Sequence, residues 1–305
     1  MSLLVVGSMA FDSIKSPFGE AEQIVGGSAT YFSIAASCFA PVRLVSVVGR
    51  DFPEAFTGKL SARGIDTLGL TVANGETFRW KGYYENDLNV AHTVRTNLNV
   101  FENFAPVLPA QWKETPYVFL GNIAPRLQLD VLAQIRKPKI VALDTMNFYI
   151  EKSPKLLREA IRNIDILIIN EAEVRQLTEE LNLVRAARML MDDGPRRVVI
   201  KRGEYGALHL SNDGIFAAPA YPLDTIFDPT GAGDSFAGGF MGYLASLGDK
   251  EISETDYRMA TVYGSAVASF TVEAFGTQRL ESLSREDIAR RVSSFRSLTE
   301  IPGLE

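Results

Sequence analysis

The chain has very little of the chemistry that stabilises small secreted domains or binds transition metals. Its 305 residues include one cysteine, Cys38, and two histidines, His92 and His209. A single cysteine excludes an internal disulfide, and so few nitrogen and sulfur ligands argue against a His/Cys metal site. The sequence has no Asn-x-Ser/Thr glycosylation site, and Met1 leads directly into apolar residues without the charged segment of a signal peptide. We therefore expect a cytoplasmic protein.

The chain also lacks an excess of basic residues and any long apolar run. Its 31 basic and 37 acidic residues give a net charge of −6, which argues against nucleic acid or an anionic membrane as the main partner. Apolar runs end at a charge or a glycine well short of the roughly 20 residues that a membrane span needs. The hydrophobic content of 46% is ordinary for a globular enzyme, and the length suits one large α/β domain or two small ones.

Short apolar strands alternate with helical segments along most of the chain, which predicts right-handed crossovers and a mostly parallel sheet. The predicted strands are Leu3–Val6, Val42–Val48, Tyr117–Leu120, Ile140–Leu143, Ile166–Ile169 and Val198–Lys201. Asn122, Asp144 and Asn170 each come shortly after one of these strands. Because the carboxyl ends of parallel strands meet at one edge of a sheet, we expect these polar side chains to converge on one crevice.

One segment departs from this pattern. Phe78–Tyr84 and His92–Thr96 alternate between residue types and are rich in threonine, valine and aromatic residues. Such alternation predicts solvated antiparallel strands instead of buried parallel ones. We interpret His92 as a structural residue of one of these strands.

The stretch Asp228–Phe240 carries the strongest functional signal, with the sequence Asp-Pro-Thr-Gly-Ala-Gly-Asp-Ser-Phe-Ala-Gly-Gly-Phe. Gly231 and Gly233 allow unusual backbone dihedrals and close approach of a ligand. The helix predicted over Phe236–Leu247 follows directly, and a helix start offers unpaired N–H groups to an anion. A carboxylate at Asp234 would repel that anion, so its presence suggests phosphoryl transfer with Asp234 as a general base. The alternative is a helix cap after a glycine turn.

This stretch resembles the C-terminal signature of the PfkB, or ribokinase-like, family of carbohydrate and nucleoside kinases. The usual signature is D-T-x-G-A-G-D-x-F, from which Pro229 is a mild departure. The resemblance implies that Asp234 is the catalytic base. It also implies that the backbone of Gly231, Ala232 and Gly233 forms an anion hole for the transferred phosphoryl group.

The same resemblance implies a fold. We expect one three-layer αβα domain over residues 1–305, with a mostly parallel central sheet and a small antiparallel β lid. The lid is expected to consist of two segments, approximately residues 12–25 and 68–100; an ordinary surface hairpin pair is the alternative. A lid would exclude water that competes with the acceptor. Trp80 or Tyr83 would be its contacts with the substrate.

Two glycines and an aspartate near the N-terminus are similar to the family's acceptor-binding region. The resemblance implies that Asp12 binds the substrate and that Gly26 and Gly27 let substrate hydroxyls reach the backbone. Read alone, Asp12 would be a loop carboxylate and the glycine pair a turn. The family often has asparagine where this chain has Tyr31, which leaves the acceptor open and suggests a ring that stacks on a base.

Further matches imply a nucleotide and metal site. Asn170-Glu171-Ala172-Glu173 resembles the family's N-x-x-E motif, in which the glutamate orders Mg²⁺ and its waters; a glutamate stabilised by the helix dipole is the alternative. Asp228 is a candidate ligand for a monovalent cation such as K⁺. The candidate nucleotide-binding residues are Asn170, Lys201, Gly203, Gly206 and Gly276.

These matches together predict an ATP-dependent kinase that uses Mg²⁺ and phosphorylates a hydroxyl, best a primary alcohol, of a sugar or sugar-like molecule. A nucleoside kinase of the same family is the alternative. A regulator that kept the fold but lost catalysis is disfavoured, because Asp234, Gly231 and Gly233 are intact. Relatives often dimerise through the lid, so the same homodimer is a candidate here.

Overall fold

The computed structural model describes residues 1–300, and two sheets organise this part of the chain. The strands are β1 (Leu3–Val6), β2 (Ala10–Ser16), β3 (Gly19–Gly26), β4 (Val42–Val48), β5 (Ile65–Val72), β6 (Phe78–Tyr83), β7 (His92–Asn97), β8 (Tyr117–Leu120), β9 (Ile140–Leu143), β10 (Ile166–Asn170), β11 (Arg197–Lys201), β12 (Ala207–Ser211) and β13 (Gly214–Ala218).

The helices flank the larger sheet. They are α1 (Ser28–Ser37), α2 (Glu54–Ala62), α3 (Pro125–Leu132), α4 (Asn147–Lys152), α5 (Pro154–Ile161), α6 (Glu171–Thr178), α7 (Leu183–Asp192), α8 (Ala232–Ser246), α9 (Glu254–Thr271), α10 (Gln278–Glu281) and α11 (Arg285–Thr299). Among the described residues, no helix combines the length and the apolar character that crossing a membrane requires.

The larger sheet has nine strands in the order β13-β12-β11-β10-β9-β8-β1-β4-β5. Every pair from β11 to β5 is parallel, and β12 and β13 add an antiparallel edge. The strands β1, β8 and β9 are buried along their whole length, as is typical of continuous apolar runs. The predicted mostly parallel central sheet is confirmed.

The helices cover both faces of this sheet, which gives three layers. On one face α1 and α8 pack tightly, because Gly238 lets the helices approach: a Cβ at this position would lie 2.6 Å from the carbonyl oxygen of Phe32. The ring of Phe32 in turn stacks on Phe119 of β8, with ring centroids 4.1 Å apart. The opposite face has its own core, around Trp112 and Leu157. The close packing of α1 and α8 brings the N-termini of these two helices next to each other.

The smaller sheet has four strands in the order β3-β2-β6-β7. The pairs β2–β3 and β6–β7 are antiparallel, and the central pair β2–β6 is parallel. The expected lid segment 68–100 begins too early, because residues 68–72 belong to β5 and residues 69–72 pair with β4 in the large sheet. As an edge strand, β5 is half exposed, so its sequence resembles that of a solvated strand.

One carboxylate attaches the smaller sheet to the rest of the molecule. Oδ1 of Asp51 accepts hydrogen bonds from the backbone N–H and the hydroxyl of Thr77, at 2.8 and 2.6 Å. Its Oδ2 accepts a bond of 2.8 Å from the guanidinium of Arg79 in β6. Asp51 therefore fixes the start of β6 to the loop that follows β4.

Candidate active site

The carboxyl ends of the parallel strands lie next to the start of α8, with the smaller sheet beside them, and we call this region the crevice. Open α/β sheets place their ligands at this edge. The candidate residues fall into two groups, one near the start of α1 and one near the start of α8.

The first group is centred on Asp12 in β2. A Cβ on Gly26 would lie 1.8 Å from Oδ2 of Asp12, so a residue with a side chain would displace this carboxylate. Gly27 has a φ of 95°, and a Cβ there would lie 2.6 Å from the carbonyl oxygen of Ser8. Both glycines are thus required by close contact at the position where the chain turns from β3 into α1.

The carboxyl group of Asp12 is buried, with 4% of the residue exposed. Burial, together with the charges of Asp228 and Asp234, raises its pKa to about 7, although the hydrogen bond from the N–H of Gly27 lowers it in part. A carboxylate held in this way is a good hydrogen-bond acceptor for a ligand hydroxyl.

Tyr31 does not offer its ring to a ligand, so the idea that it stacks on a base is wrong for this structure. The residue is 1% exposed. A Cβ on Gly231 would lie only 2.4 to 2.5 Å from three atoms of the ring. The backbone of Gly231 therefore covers the face of the ring. Only its buried hydroxyl is left for other contacts.

The smaller sheet contributes Tyr84 to the crevice, where the sequence suggested Tyr83. The hydroxyl of Tyr84 lies 3.1 Å from Oγ1 of Thr230 and is buried. Tyr83 instead stacks on His92, with ring centroids 4.9 Å apart. Trp80 is directly paired with Asp12 across β2 and β6, so both side chains are on the same face of the sheet.

The second group is the turn before α8. Gly231 is the N-cap residue in the left-handed conformation, with a φ of 76°. Among the described residues, the backbone N–H groups of Gly233 and Asp234 have no backbone acceptor. Unpaired N–H groups at the start of a fifteen-residue helix form a site suited to an anion.

Asp228 holds this turn in place. Its Oδ1 accepts a bond of 2.8 Å from the N–H of Thr230, and its Oδ2 accepts one of 3.1 Å from the N–H of Gly276. Gly276 is itself left-handed, with a φ of 60°, and lies against Ile24 of β3. The aspartate therefore connects the turn before α8, the segment after α9 and the smaller sheet.

Lys201 and Asp144 form an ion pair beside the turn. Nζ of Lys201 lies 2.5 Å from Oδ2 of Asp144, and both side chains are largely buried. The same Nζ lies 3.0 Å from where a Cβ of Gly233 would be, so the ammonium group is next to the unpaired N–H groups. Burial alone would lower the pKa of Lys201, but the charges of Asp144 and Glu173 raise it and keep the group charged.

Asp234 is half-buried in the first turn of α8. Burial and the charge of Asp144 raise its pKa to about 7, although the charge of Lys201 lowers it in part. A carboxylate with a pKa near neutrality can take a proton from a hydroxyl and later release it. The geometry therefore combines unpaired N–H groups suited to an anion with a carboxylate suited to act as a general base.

Asn170 and Glu173 form a capping box at the start of α6. The backbone N–H of Asn170 donates to Oε2 of Glu173 at 3.0 Å, and the N–H of Glu173 donates to Oδ1 of Asn170 at 2.8 Å. Burial and the charge of Asp144 raise the pKa of Glu173 to about 8. The cap uses one carboxylate oxygen and leaves the other for a further contact.

This donor set fits Mg²⁺ bound through water. Within residues 1–300, no three His, Cys, Asp or Glu side chains are grouped closely enough to hold a metal ion by themselves. Mg²⁺ needs no such cage, because it retains several waters and takes its other ligands from phosphates. A single oxygen of Glu173 beside the anion site meets this requirement.

Gly203 and Gly206 lie beyond Lys201 and have different surroundings. Gly203, with a φ of 54°, is covered by Asn89 from the loop between β6 and β7: its Cβ would lie 1.5 Å from Oδ1 of Asn89. A Cβ on Gly206 would lie 2.1 Å from the carbonyl oxygen of Ala218, so packing of β12 on β13 already requires this glycine. Their contacts with a nucleotide remain predictions.

Three features of the crevice were not predicted from the sequence: Tyr84, the pairing of Asp144 with Lys201, and the contact of Asn89 with Gly203. The only available signal for the ion pair was that Asp144 and Lys201 each stand at the carboxyl end of a predicted strand. That position predicted one crevice, but it did not predict which side chains pair.

The comparisons with known proteins agree with this geometry. A family model described as pfkB family carbohydrate kinase matches residues 3–283. A cytidine kinase of Thermococcus kodakarensis is 34% identical over 248 residues, which cover 79% of this chain and 87% of that protein.

Two solved structures share the fold. A nucleoside kinase of Methanocaldococcus jannaschii, described as an archaeal member of the ribokinase family, has a TM-score of 0.75 at 20% identity and covers 96% of this chain and 98% of its own. The aminoimidazole riboside kinase of Salmonella enterica, complexed with aminoimidazole riboside and an ATP analogue, has a TM-score of 0.77 at 18% identity; the coverage is 96% of this chain and 100% of its own.

The ion pair predicts how activity depends on pH. If ionised Asp234 is required, kcat/KM should rise with pH through an apparent pKa near 7. Asp144→Asn removes a negative charge that raises the pKa of Asp234 and leaves the positive charge of Lys201, so the acid limb should move to lower pH by about one unit. The check is the pH profile of kcat/KM, with Asp130→Asn on the surface of α3 as control. A limb that stays in place or moves to higher pH would contradict this electrostatic assignment.

Proposed function

The chain belongs to the pfkB family of carbohydrate kinases, and we propose that it transfers the γ-phosphoryl group of ATP to the primary hydroxyl of a nucleoside. The observation that carries this proposal is the position of Asp234, whose carboxylate lies in the same helical turn as unpaired N–H groups and beside Lys201. A base and an anion site in contact are what phosphoryl transfer to an alcohol needs.

In the proposed reaction, Asp234 takes the proton of the acceptor hydroxyl as its oxygen bonds to the γ-phosphorus. The bond between that phosphorus and the bridging oxygen of ADP breaks, and ADP leaves with the electron pair. The backbone N–H groups of Gly231 and Gly233 and the ammonium of Lys201 would stabilise the charge on the phosphoryl oxygens. The N–H of Ala232 donates to the carbonyl oxygen of Pro229 at 3.2 Å and would have to leave that bond to join them. The pKa of Asp234, about 7, suits a base that works near neutral pH.

Several features support a nucleoside as the acceptor. Asp12, with the backbone at Gly26 and Gly27, would bind the sugar hydroxyls near the start of α1. Trp80 lies on the same face of the smaller sheet as Asp12. One side of its ring packs over Gly82, and the other side would stack on a base. The relative from Thermococcus kodakarensis is a cytidine kinase, which also favours a nucleoside. A free sugar is the second candidate, since Asp12 would bind its hydroxyls equally well.

Glu173 and Asn170 would hold Mg²⁺ through its waters, and the ion would neutralise part of the phosphate charge when bound. The proposed nucleotide contacts lie at this phosphate end of the crevice and remain Lys201, Gly203, Gly206 and Gly276.

Asp228 would bind a monovalent cation such as K⁺. Its carboxylate is fully buried, burial raises its pKa, and no basic side chain among the described residues contributes to that shift. Each oxygen accepts one backbone N–H and keeps a lone pair for a cation. If K⁺ and Na⁺ at equal ionic strength gave the same kcat/KM as a bulky organic cation, this role would be excluded.

The acceptor is identified by measuring ADP release with cytidine, uridine, adenosine and guanosine against ribose, fructose and myo-inositol. At least one nucleoside should have a kcat/KM at least about tenfold above every free sugar, because stacking of a base on an aromatic ring is worth about 1–3 kcal/mol. A free sugar as the best acceptor would favour the second candidate. ATP binding without ADP release across the panel would favour a regulator.

The role of Asp234 is tested with Asp234→Asn, which keeps the size of the side chain and removes the base. Turnover should fall by on the order of 10²–10⁴, with the fold and the affinity for ATP retained. Calorimetric ATP titration and steady-state kinetics measure the two quantities, and Asp249→Asn on the surface is the control. Near-normal turnover of Asp234→Asn would rule out this residue as the base.

We also propose a homodimer through the lid. The strand β7 is at the edge of the smaller sheet, and residues 93–96 within it are exposed, with Val94 at 59%. An exposed edge strand is a ready partner for a second copy of the chain. Light scattering at micromolar concentration should give the mass of a dimer for the wild type and of a monomer for Val94→Asp; a monomeric wild type would contradict the proposal.

A further inference from the structure

The hydroxyl of Tyr31 is a buried polar group without a partner. The residue is 1% exposed, and among the described residues its oxygen makes no hydrogen bond. Burying a hydroxyl without a partner costs free energy, and a phenylalanine of the same shape would avoid this cost. A tyrosine at this position therefore suggests that its partner is a ligand.

The position of this hydroxyl is fixed by the packing of the ring. The ring face lies on the backbone of Gly231, and the N–H of Tyr31 donates to the carbonyl oxygen of Gly27 at 3.2 Å. Tyr31 therefore touches both the turn of the acceptor end and the turn of the phosphate end. Neither contact involves the hydroxyl, which keeps its donor for a ligand.

The groups near enough to shift the pKa of this hydroxyl are acidic or phenolic. Burial raises the pKa of Tyr31 well above its usual value, and the charges of Asp12, Asp228 and Asp234 and the phenol of Tyr84 raise it further. The phenol is therefore neutral at physiological pH and keeps its proton. In a field of carboxylates, its natural role is that of a hydrogen-bond donor.

We propose that Tyr31 is a specificity-determining residue. Its hydroxyl donates a hydrogen bond to one secondary hydroxyl of the nucleoside, and that same hydroxyl donates its own proton to the carboxylate of Asp12. This inference rests on the proposed function and deepens it. An acceptor without that hydroxyl leaves both Tyr31 and Asp12 unpaired, so the enzyme discriminates against deoxy analogues.

The test compares the wild type with Tyr31→Phe on one ribonucleoside and on its 2′-deoxy and 3′-deoxy analogues. Loss of one substrate hydrogen bond should lower kcat/KM for the ribonucleoside by about 10–100-fold. For the analogue that lacks the recognised hydroxyl, kcat/KM should change by less than roughly threefold, since no bond is lost. Tyr83→Phe is the matched control, because Tyr83 stacks on His92 and should leave all three rates unchanged.

An equal loss of kcat/KM on all three substrates would show that the hydroxyl acts through the structure, and this would overturn the proposal. An unchanged kcat/KM on all three substrates would also overturn it. A second measurement is independent of activity: the Tm of free Tyr31→Phe should be unchanged or higher, and a lower Tm would reveal a partner within the protein. If no nucleoside is phosphorylated, the proposed function fails. The same comparison with ribose and 2-deoxyribose then tests Tyr31 separately.

Discussion

The close packing of α1 against α8 is the constraint on which the rest of the site depends. Gly238 allows the two helices to approach, and the ring of Tyr31 lies directly on Gly231. Because of this contact, the turn that would bind the acceptor and the turn that would bind the phosphoryl group are neighbours. A larger residue at either glycine would separate them, and the two reacting groups would no longer meet.

Around this contact the protein buries more acid than base. Asp12, Asp228 and Asp234 are held where burial raises their pKa values, and Lys201 is paired with Asp144 in the same crevice. Such a cluster of buried acids is unfavourable in the ligand-free protein, and acids with raised pKa values are typical of sites that bind cations or ligand hydroxyls. Under the proposed function, this arrangement would let one crevice provide both a base near neutrality and a place for a metal-bound phosphate.

Much of the fold could be predicted because its signals are local. The runs Leu3–Val6 and Ile140–Leu143 are strands with the predicted bounds, and Asp228–Phe240 marked the start of α8. The rest depends on contacts between distant residues. Strand β5 at the sheet edge is half exposed, so its sequence looks like that of a solvated strand. A bulge in β6 precedes Tyr83 and Tyr84, and Tyr84 is the one that enters the crevice. Nothing local shows that Tyr31 packs on Gly231.

The most direct test is a crystal structure with ADP, aluminium fluoride, Mg²⁺ and the acceptor. We expect the fluoride on the N–H groups at Gly231–Gly233 and the primary oxygen of the acceptor about 2.6–3.2 Å from the carboxylate of Asp234. The secondary hydroxyls of the acceptor should lie on Asp12. An acceptor bound away from Asp234, or a fluoride bound elsewhere than at the start of α8, would contradict the proposed function.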